Sequence, residues 1–251
     1  MELSVITPKL VFSDFDGTLT LDDELRPEFF DVLSLLKNHD VPLVICTGRS
    51  KSWAHFLLTH FPQLDYVITE GGGVLTCVEE KEGRRLLKDI LLVDESEVIR
   101  LEKAVIELKE KFPNIELSVD SFGRQTDRAI ELSFLEDHPE LDKEIRSFFK
   151  EKKINFSTSN VHMNFWCGDI SKINSIRTFL KDYKRSSEEE IIFFGDSLND
   201  ESVFKELRHC VGVSNIEKVK DRFQYLPQTI LEGKHNEGVL GVLNYLKSIF
   251  S

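Results

Sequence analysis

The chain has 251 residues, with 32 basic against 44 acidic side chains and a net charge of −12. That length allows one large domain or a core with a smaller companion, and it buries enough apolar surface to need no staples. The acidity disfavours a nucleic-acid backbone as partner, and the four scattered cysteines, Cys46, Cys77, Cys167 and Cys210, form no CxxC or Cys/His cluster. Met1 to Val5 lacks the basic start and apolar stretch of a signal peptide, and no run reaches membrane-span length. A cytoplasmic protein is expected, monomer or homodimer, with no membrane or nucleic-acid partner.

In chain order, the first predicted element is a buried strand, Leu10 to Phe12, that runs into Ser13-Asp14-Phe15-Asp16-Gly17-Thr18. A helix opened by Pro27 follows, with Phe29, Val32, Leu33 and Leu36 spaced to cover one side. Pro42 to Cys46 is a second buried strand, ending at Thr47-Gly48-Arg49. Strand, helix and strand in this order imply parallel pairing with a right-handed crossover, and ligands of such sheets collect at the carboxyl ends of the strands.

Past the flexible Gly71-Gly72-Gly73 the pattern changes. Strands are predicted at Val74 to Val78 and Leu86 to Val93, then a helix carrying Val98, Leu101, Val105, Leu108 and Phe112, stopped by Pro113. Alternating strands follow at Ile115-Leu117-Val119 and Ile130-Leu132-Phe134, a helix from Pro139 to about Lys150, and strands near Ile154-Phe156 and Val161-Met163-Phe165. One apolar face per strand suggests a mostly antiparallel sheet covered by two helices on one side. His162, Asn164 and Trp166 then face the open side, as do Glu131 and Ser133, to cover a substrate or else to meet a second copy or solvent. An amphipathic helix begins at Lys172, and a third buried strand, Ile191 to Phe194, runs into Gly195-Asp196-Ser197-Leu198-Asn199-Asp200. The expected fold is α/β: a Rossmann-like parallel-sheet core, residues 1–73 and 171–251, with an inserted α+β cap at 74–170.

Asp14 and Asp16 carry the first chemical signal. A buried strand ending in Asp-x-Asp-Gly-Thr brings two carboxylates to the rim of a sheet, where one can attack or bind metal while its neighbour moves protons. Taken alone the pair would equally cap a turn, and Thr47 would equally cap the helix that starts near Ser50.

The motifs together, in order along nearly the whole chain, resemble those of haloacid-dehalogenase-type phosphatases. The insert resembles that of the type IIB subgroup, which includes Cof-like and sucrose-phosphatase-like hydrolases. The resemblance implies that Asp14 is a nucleophile forming an aspartyl phosphate and that Asp16 is the general acid/base. Thr47, beside Gly48, would bind a phosphoryl oxygen, and Lys172 would neutralise charge between nucleophile and phosphate. Asp196 would hold Mg2+ together with Asp14 and the backbone carbonyl of Asp16, a hard-oxygen set. Asn199 and Asp200 would orient that loop or the metal-bound waters. Arg49 is typical of the subgroup and fits either a substrate contact or an ion pair. The chain departs from the pattern at Gly71-Gly72-Gly73, where many members read Asn-Gly-Ala, which leaves a side chain missing near the hinge.

The expected activity is Mg-dependent hydrolysis of a small phosphorylated metabolite, a sugar phosphate or a related compound. Arg124 and Arg128, with Gln125, are candidates to grip a second anionic or hydroxyl-rich group, or are ordinary solvated loop residues. A phosphomutase uses the same aspartyl chemistry. A signalling receiver domain also places acids, a Thr and a Lys around an Asp, but it lacks the Asp-x-Asp spacing, the late acidic motif and the insert.

Overall fold

The computed structural model describes residues 6–158, 162–184 and 186–250. In chain order its first half holds strand β1 (Leu10–Ser13), helix α1 (Glu28–Asn38), β2 (Leu43–Cys46), α2 (Lys51–His60), β3 (Tyr66–Thr69), the hairpin β4 (Val74–Lys81) and β5 (Arg84–Leu91), and α3 (Glu95–Lys111). There follow β6 (Asp127–Glu131), α4 (Leu132–Asp137), α5 (Pro139–Glu151), β7 (Asn155–Thr158), β8 (His162–Trp166), α6 (Lys172–Phe179), β9 (Ile191–Gly195), α7 (Glu201–Glu206), β10 (Cys210–Gly212), β11 (Thr229–Ile230) and α8 (Val239–Phe250). No helix among the described residues is long and apolar enough to cross a membrane.

The large sheet runs β11-β10-β9-β1-β2-β3-β4-β5. Its first six strands are parallel, with Val11 opposite both Leu43 and Ile192. These strands are near-continuous apolar runs because both faces are covered. Alternation divides them: Val11, Ile45, Val67 and Phe194 pack with α1, α2 and α8, while Leu10, Phe12, Val44 and Phe193 pack with α6 and α7. On α1 the predicted stripe Phe29, Val32, Leu33 and Leu36 is buried. Full burial of each such side chain is worth about 1.5–3 kcal/mol. The order puts the carboxyl ends of β9, β1 and β2 side by side, so Asp196, Asp14 and Thr47 share one rim.

The small sheet is antiparallel, in the order β6-β8-β7. One face carries Ile130, Met163 and Phe165 against Leu101 and Leu108 of α3 and Ile145, Phe148 and Phe149 of α5. This is the one-sided cover predicted from alternation, although Val161 lies outside the described residues.

Three expectations are corrected. The segment from Val74 to Leu91, expected within the insert, extends the large sheet instead: β4 pairs antiparallel with β3 and β5 with β4. Gly71 and Gly72, at φ +66° and +120°, let the chain reverse there, and Val74 and Leu75 are buried against the core. Second, Ile115 to Val119 is not a strand. Leu117 makes a single bridge to Ile130, and Val119–Gly123 is a 3-10 turn in which the Ser118 hydroxyl bonds Asp120 in competition with sheet pairing. Third, the strand read through Leu132 and Phe134 stops at Glu131, where α4 starts and buries Leu135. The i, i+3 spacing of Leu132 and Leu135 competes with the two-residue alternation and wins. Ser133 therefore sits on α4 and not on the open face of the sheet.

Candidate active site

At the end of β1 the Asp14 amide donates to the Phe194 carbonyl at 2.8 Å, which fixes the turn against β9. The Asp14 carboxylate is 2% exposed. Lys172, at the start of α6 where the Ser171 hydroxyl caps the Asn174 amide, is equally buried. Its ammonium donates to Asp14 Oδ1 at 2.6 Å, Asp200 Oδ1 at 2.7 Å and Asn199 Oδ1 at 3.1 Å. Burial opposes that charge, but Asp14 and Asp200 outweigh it and hold the lysine pKa above its ordinary value.

The acidic loop after β9 is built around Asp200, whose Oδ2 accepts from the Asp196 and Ser197 amides at 3.1 and 3.2 Å. Asp196 is gripped on both oxygens: the Thr18 hydroxyl donates to Oδ1 at 2.9 Å and the Asn215 amide to Oδ2 at 2.7 Å. Gly17 is required here, at φ +79°, because a Cβ on it would come within 2.4 Å of Asp196.

Just past β2 the Thr47 amide bonds the Ile68 carbonyl at 2.9 Å, and its hydroxyl accepts from the Arg49 amide at 3.1 Å. A Cβ placed on Gly48 would meet nothing within 4 Å, so the backbone after Thr47 borders open space. Arg49 adopts the ion-pair alternative: its Nε reaches Asp16 Oδ1 at 2.9 Å and Oδ2 at 2.8 Å, while the guanidinium lies 3.9 Å from the Trp53 ring centroid.

The insert reaches this rim through residues 118–127. Arg124, read from sequence as a substrate grip or a solvated loop residue, is neither exposed nor free. Its guanidinium is 2% exposed, donates to Asp120 and Asp127 at 2.7 and 2.8 Å, and bonds the Gly48 carbonyl at 3.1 Å. Glu70, at φ +55° and 1% exposed, accepts from the Gln125 amide at 2.9 Å and from the Thr126 amide and hydroxyl at 2.6 and 2.7 Å. On the open face of the small sheet Asn164 donates to Asp127 at 2.9 Å, and the His162 ring lies 3.2 Å from Glu131 and 3.3 Å from the Ser118 hydroxyl. Trp166, opposite Asp127 in register, is half-buried on the same face. Arg128 is opposite Phe165, on the helix side, and its guanidinium bonds the Arg124 and Asp127 carbonyls. The structure thus separates Arg128 from His162, Asn164 and Trp166.

The family model for sucrose-6F-phosphate phosphohydrolases matches residues 7–247. The chain belongs to this family. It is a haloacid-dehalogenase-type phosphatase, as the motifs had suggested. A phosphoglycolate phosphatase of Methanobrevibacter smithii is 28% identical over 207 residues, covering 81% of this chain and 85% of that protein. A glucosyl-3-phosphoglycerate/mannosyl-3-phosphoglycerate phosphatase of Methanococcoides burtonii is 24% identical and covers 92% of each. The sucrose-phosphatase of Synechocystis, solved in complex with sucrose and phosphate, shares the fold at a TM-score of 0.66 and 17% identity, covering 96% of this chain and 97% of its own.

In the phosphatase, ligand atoms of Asp14, Asp196 and Asp200 all lie within 4.8 Å of one another. Burial pushes the Asp14 carboxyl well up, with Asp200 and Asp196 adding to it against Lys172. Burial followed by the Asp200 charge raises Asp196 to about 7. Lys172 supplies a single positive charge to three carboxylates, and a divalent cation would relieve the excess. Carboxylate and carbonyl oxygens suit a hard cation such as magnesium, so the residues fit the metal.

Thr18, Asn215 and Glu70 carried no assigned role in the sequence. The available signal for Asn215 was its place just past the short buried strand β10 (Cys210–Gly212), in a sheet whose other strand ends already carried acids.

Proposed function

We propose that the phosphatase hydrolyses a phosphomonoester whose leaving group is a small, neutral, hydroxyl-rich metabolite, with Asp14 as nucleophile. The observation that carries the mechanism is the buried ammonium of Lys172, 2.6 Å from Asp14 and 2.7 Å from Asp200. It keeps one Asp14 oxygen oriented and leaves the other to attack phosphorus. As the Asp14–phosphorus bond forms, the bond to the leaving oxygen breaks and Asp16 delivers a proton to that oxygen. Water then attacks the same phosphorus, gives its proton to Asp16, and frees Asp14 and inorganic phosphate. Thr47 and the Gly48 backbone hold the phosphoryl oxygens. Bound by Asp14, Asp196 and the Asp16 carbonyl, Mg2+ would offset the charge between carboxylate and phosphoryl group; Asp200 and Asn199 fix Lys172 and the loop. For Asp16 to serve, it has to leave Arg49, whose guanidinium, still stacked on Trp53, is then available to a phosphoryl oxygen.

The small sheet with α3 and α5 acts as a cap, and its open face supports the neutral leaving group. Asp127 and Glu131 stand on it and Asp120 lies in the adjoining turn, and the guanidinium of Arg124 is already spent on two of the three. A substrate carboxylate would meet like charge there, whereas sugar hydroxyls would find acceptors.

A release assay for inorganic phosphate across a panel tests the reading. Neutral sugar and sugar-alcohol phosphates are expected to exceed phosphoglycolate and phosphoglycerate in kcat/KM by tenfold or more, roughly one lost charge-assisted contact. Preference for the carboxylated substrates would overturn the substrate class. Full activity after exhaustive chelation would overturn the metal, and a sugar bisphosphate isomerised without phosphate release would indicate a mutase.

A further inference from the structure

Asp196 is held by a side chain on each oxygen, Thr18 from the turn after β1 and Asn215 from the turn after β10. Asn215 stands in the 3-10 turn Ser214–Lys218 that follows β10, and β10 places Gly212 beside Gly195. Its amide nitrogen donates to Asp196 Oδ2 at 2.7 Å and to the Gly17 carbonyl at 3.0 Å. Its carbonyl oxygen accepts from the Gly238 amide at 2.9 Å, just before α8. Because a backbone N–H can only donate, that last bond decides which end of the Asn215 side chain faces the carboxylate. From the other side the Thr18 hydroxyl donates to Asp196 Oδ1 at 2.9 Å. One amide therefore ties together the turn after β1, the turn after β9 and the start of α8.

We propose that Asn215, with Thr18 as the opposing arm, is a positioning residue that holds Asp196 for a divalent cation and sets the affinity of the site for it. This rests on reading Asp14 and Asp196 as the metal site. An Asp196 carboxylate freed of these arms would turn about its own side chain and sample orientations useless to a cation shared with Asp14. Partners that hydrogen-bond a ligand typically contribute 10- to 100-fold to metal affinity. Asn215 bonds Asp196, Gly17 and Gly238, so its loss should act on the metal and not on the phosphoryl contacts of Thr47 and Lys172.

The test is thermal melting of the purified protein across a magnesium titration. Wild type is expected to be stabilised by the ion, and Asn215→Ala to raise the magnesium midpoint about tenfold or more. At saturating magnesium its KM should stay within about twofold of wild type. Thr18→Val keeps the volume and removes the other bond; it should shift the midpoint in the same direction, and it carries the test if Asn215→Ala does not fold. Ser214→Ala is the control: its hydroxyl bonds the Gly233 carbonyl at 2.9 Å in the same turn, so it should lower the melting temperature without moving the midpoint. An unchanged midpoint in Asn215→Ala, or an equal shift in Ser214→Ala, overturns the positioning role and leaves the metal reading standing. A wild-type protein with no magnesium response overturns both.

Discussion

At the rim of the large sheet three carboxylates, the buried Asp14 and Asp200 and the half-buried Asp196, share one ammonium, that of Lys172. On the small sheet and the turn leading into it, the guanidinium of Arg124 has two carboxylates of its own, Asp120 and Asp127, and a backbone carbonyl besides. The first arrangement has an excess of negative charge, with Asp14 and Asp196 pushed towards their neutral forms; it is suited to completion by something cationic. The second is nearly closed. Its charges satisfy one another, which leaves Glu131, His162, Asn164 and Trp166 to read a substrate by hydrogen bonds and shape. On the proposed reading, one region breaks the bond and the other chooses whose bond it is.

The sharpest way to break this division is at Asp14. Asp14→Asn removes the proposed nucleophile while preserving a side chain that Lys172 can still bond, so turnover of every phosphomonoester should fall by about 10⁴-fold or more with the fold retained. Wild-type rates in a steady-state phosphate-release assay would remove the nucleophile from the scheme. Asp14→Asn should also bind substrate without consuming it, and equilibrium binding across the panel would then isolate the contribution of the cap.

Arg124 tests the closed half. Arg124→Ala strands Asp120 and Asp127 and releases Gly48, and breaking such a buried pair costs about 3–5 kcal/mol. Melting should move down on the order of 10 °C for a chain of this size. Because Gly48 follows Thr47, KM should rise for all substrates alike. A rise confined to one substrate would mean that Arg124 touches the leaving group directly.

Smaller and more selective effects are expected on the open face. Trp166→Ala and His162→Ala should alter kcat/KM by about 3- to 30-fold, unequally across the panel, since each removes a different contact. Equal losses on all substrates would assign both residues to packing.

What could be read in advance follows the same division. The placement of Asp14, Thr47 and Asp196 at the ends of buried strands and of Lys172 at a helix start was legible, because those breaks are visible along the chain. Trp166, Asn164 and His162 were legible as one face because strand alternation is local. Asn215 was not: its contact with Asp196 exists only because β10 lies beside β9 and the chain turns back toward Gly17. Nor was the hold of Arg49 on Asp16, which joins two loops 33 residues apart. The hairpin of β4 and β5 was assigned to the wrong sheet for a related reason, since two apolar strands show that they pair but not which edge receives them. In α4, burial of Leu135 overrode an alternation that was as good locally.

Asp127 gives the most specific effect, confined to one window of pH. Burial raises its carboxyl to about 6, against the pull of Arg124 and with help from Glu70, while in the unfolded chain it titrates near 3.8. Between those values the folded protein holds a proton that the unfolded chain has released. Its contribution is therefore stabilising at the acid end and is lost as pH rises from about 4 to 6, after which it is flat. The difference corresponds to about 3 kcal/mol at most. Asp127→Asn, which cannot ionise, should gain on wild type across that window and hold a constant difference above it, as read from paired urea melts at pH 4.5 and 5.5, inside the transition, and at pH 7.5, above it. A constant difference at all three would mean that Arg124 keeps Asp127 ionised throughout. The cap would then carry its full negative charge even in mild acid, and discrimination against carboxylated substrates should persist there undiminished.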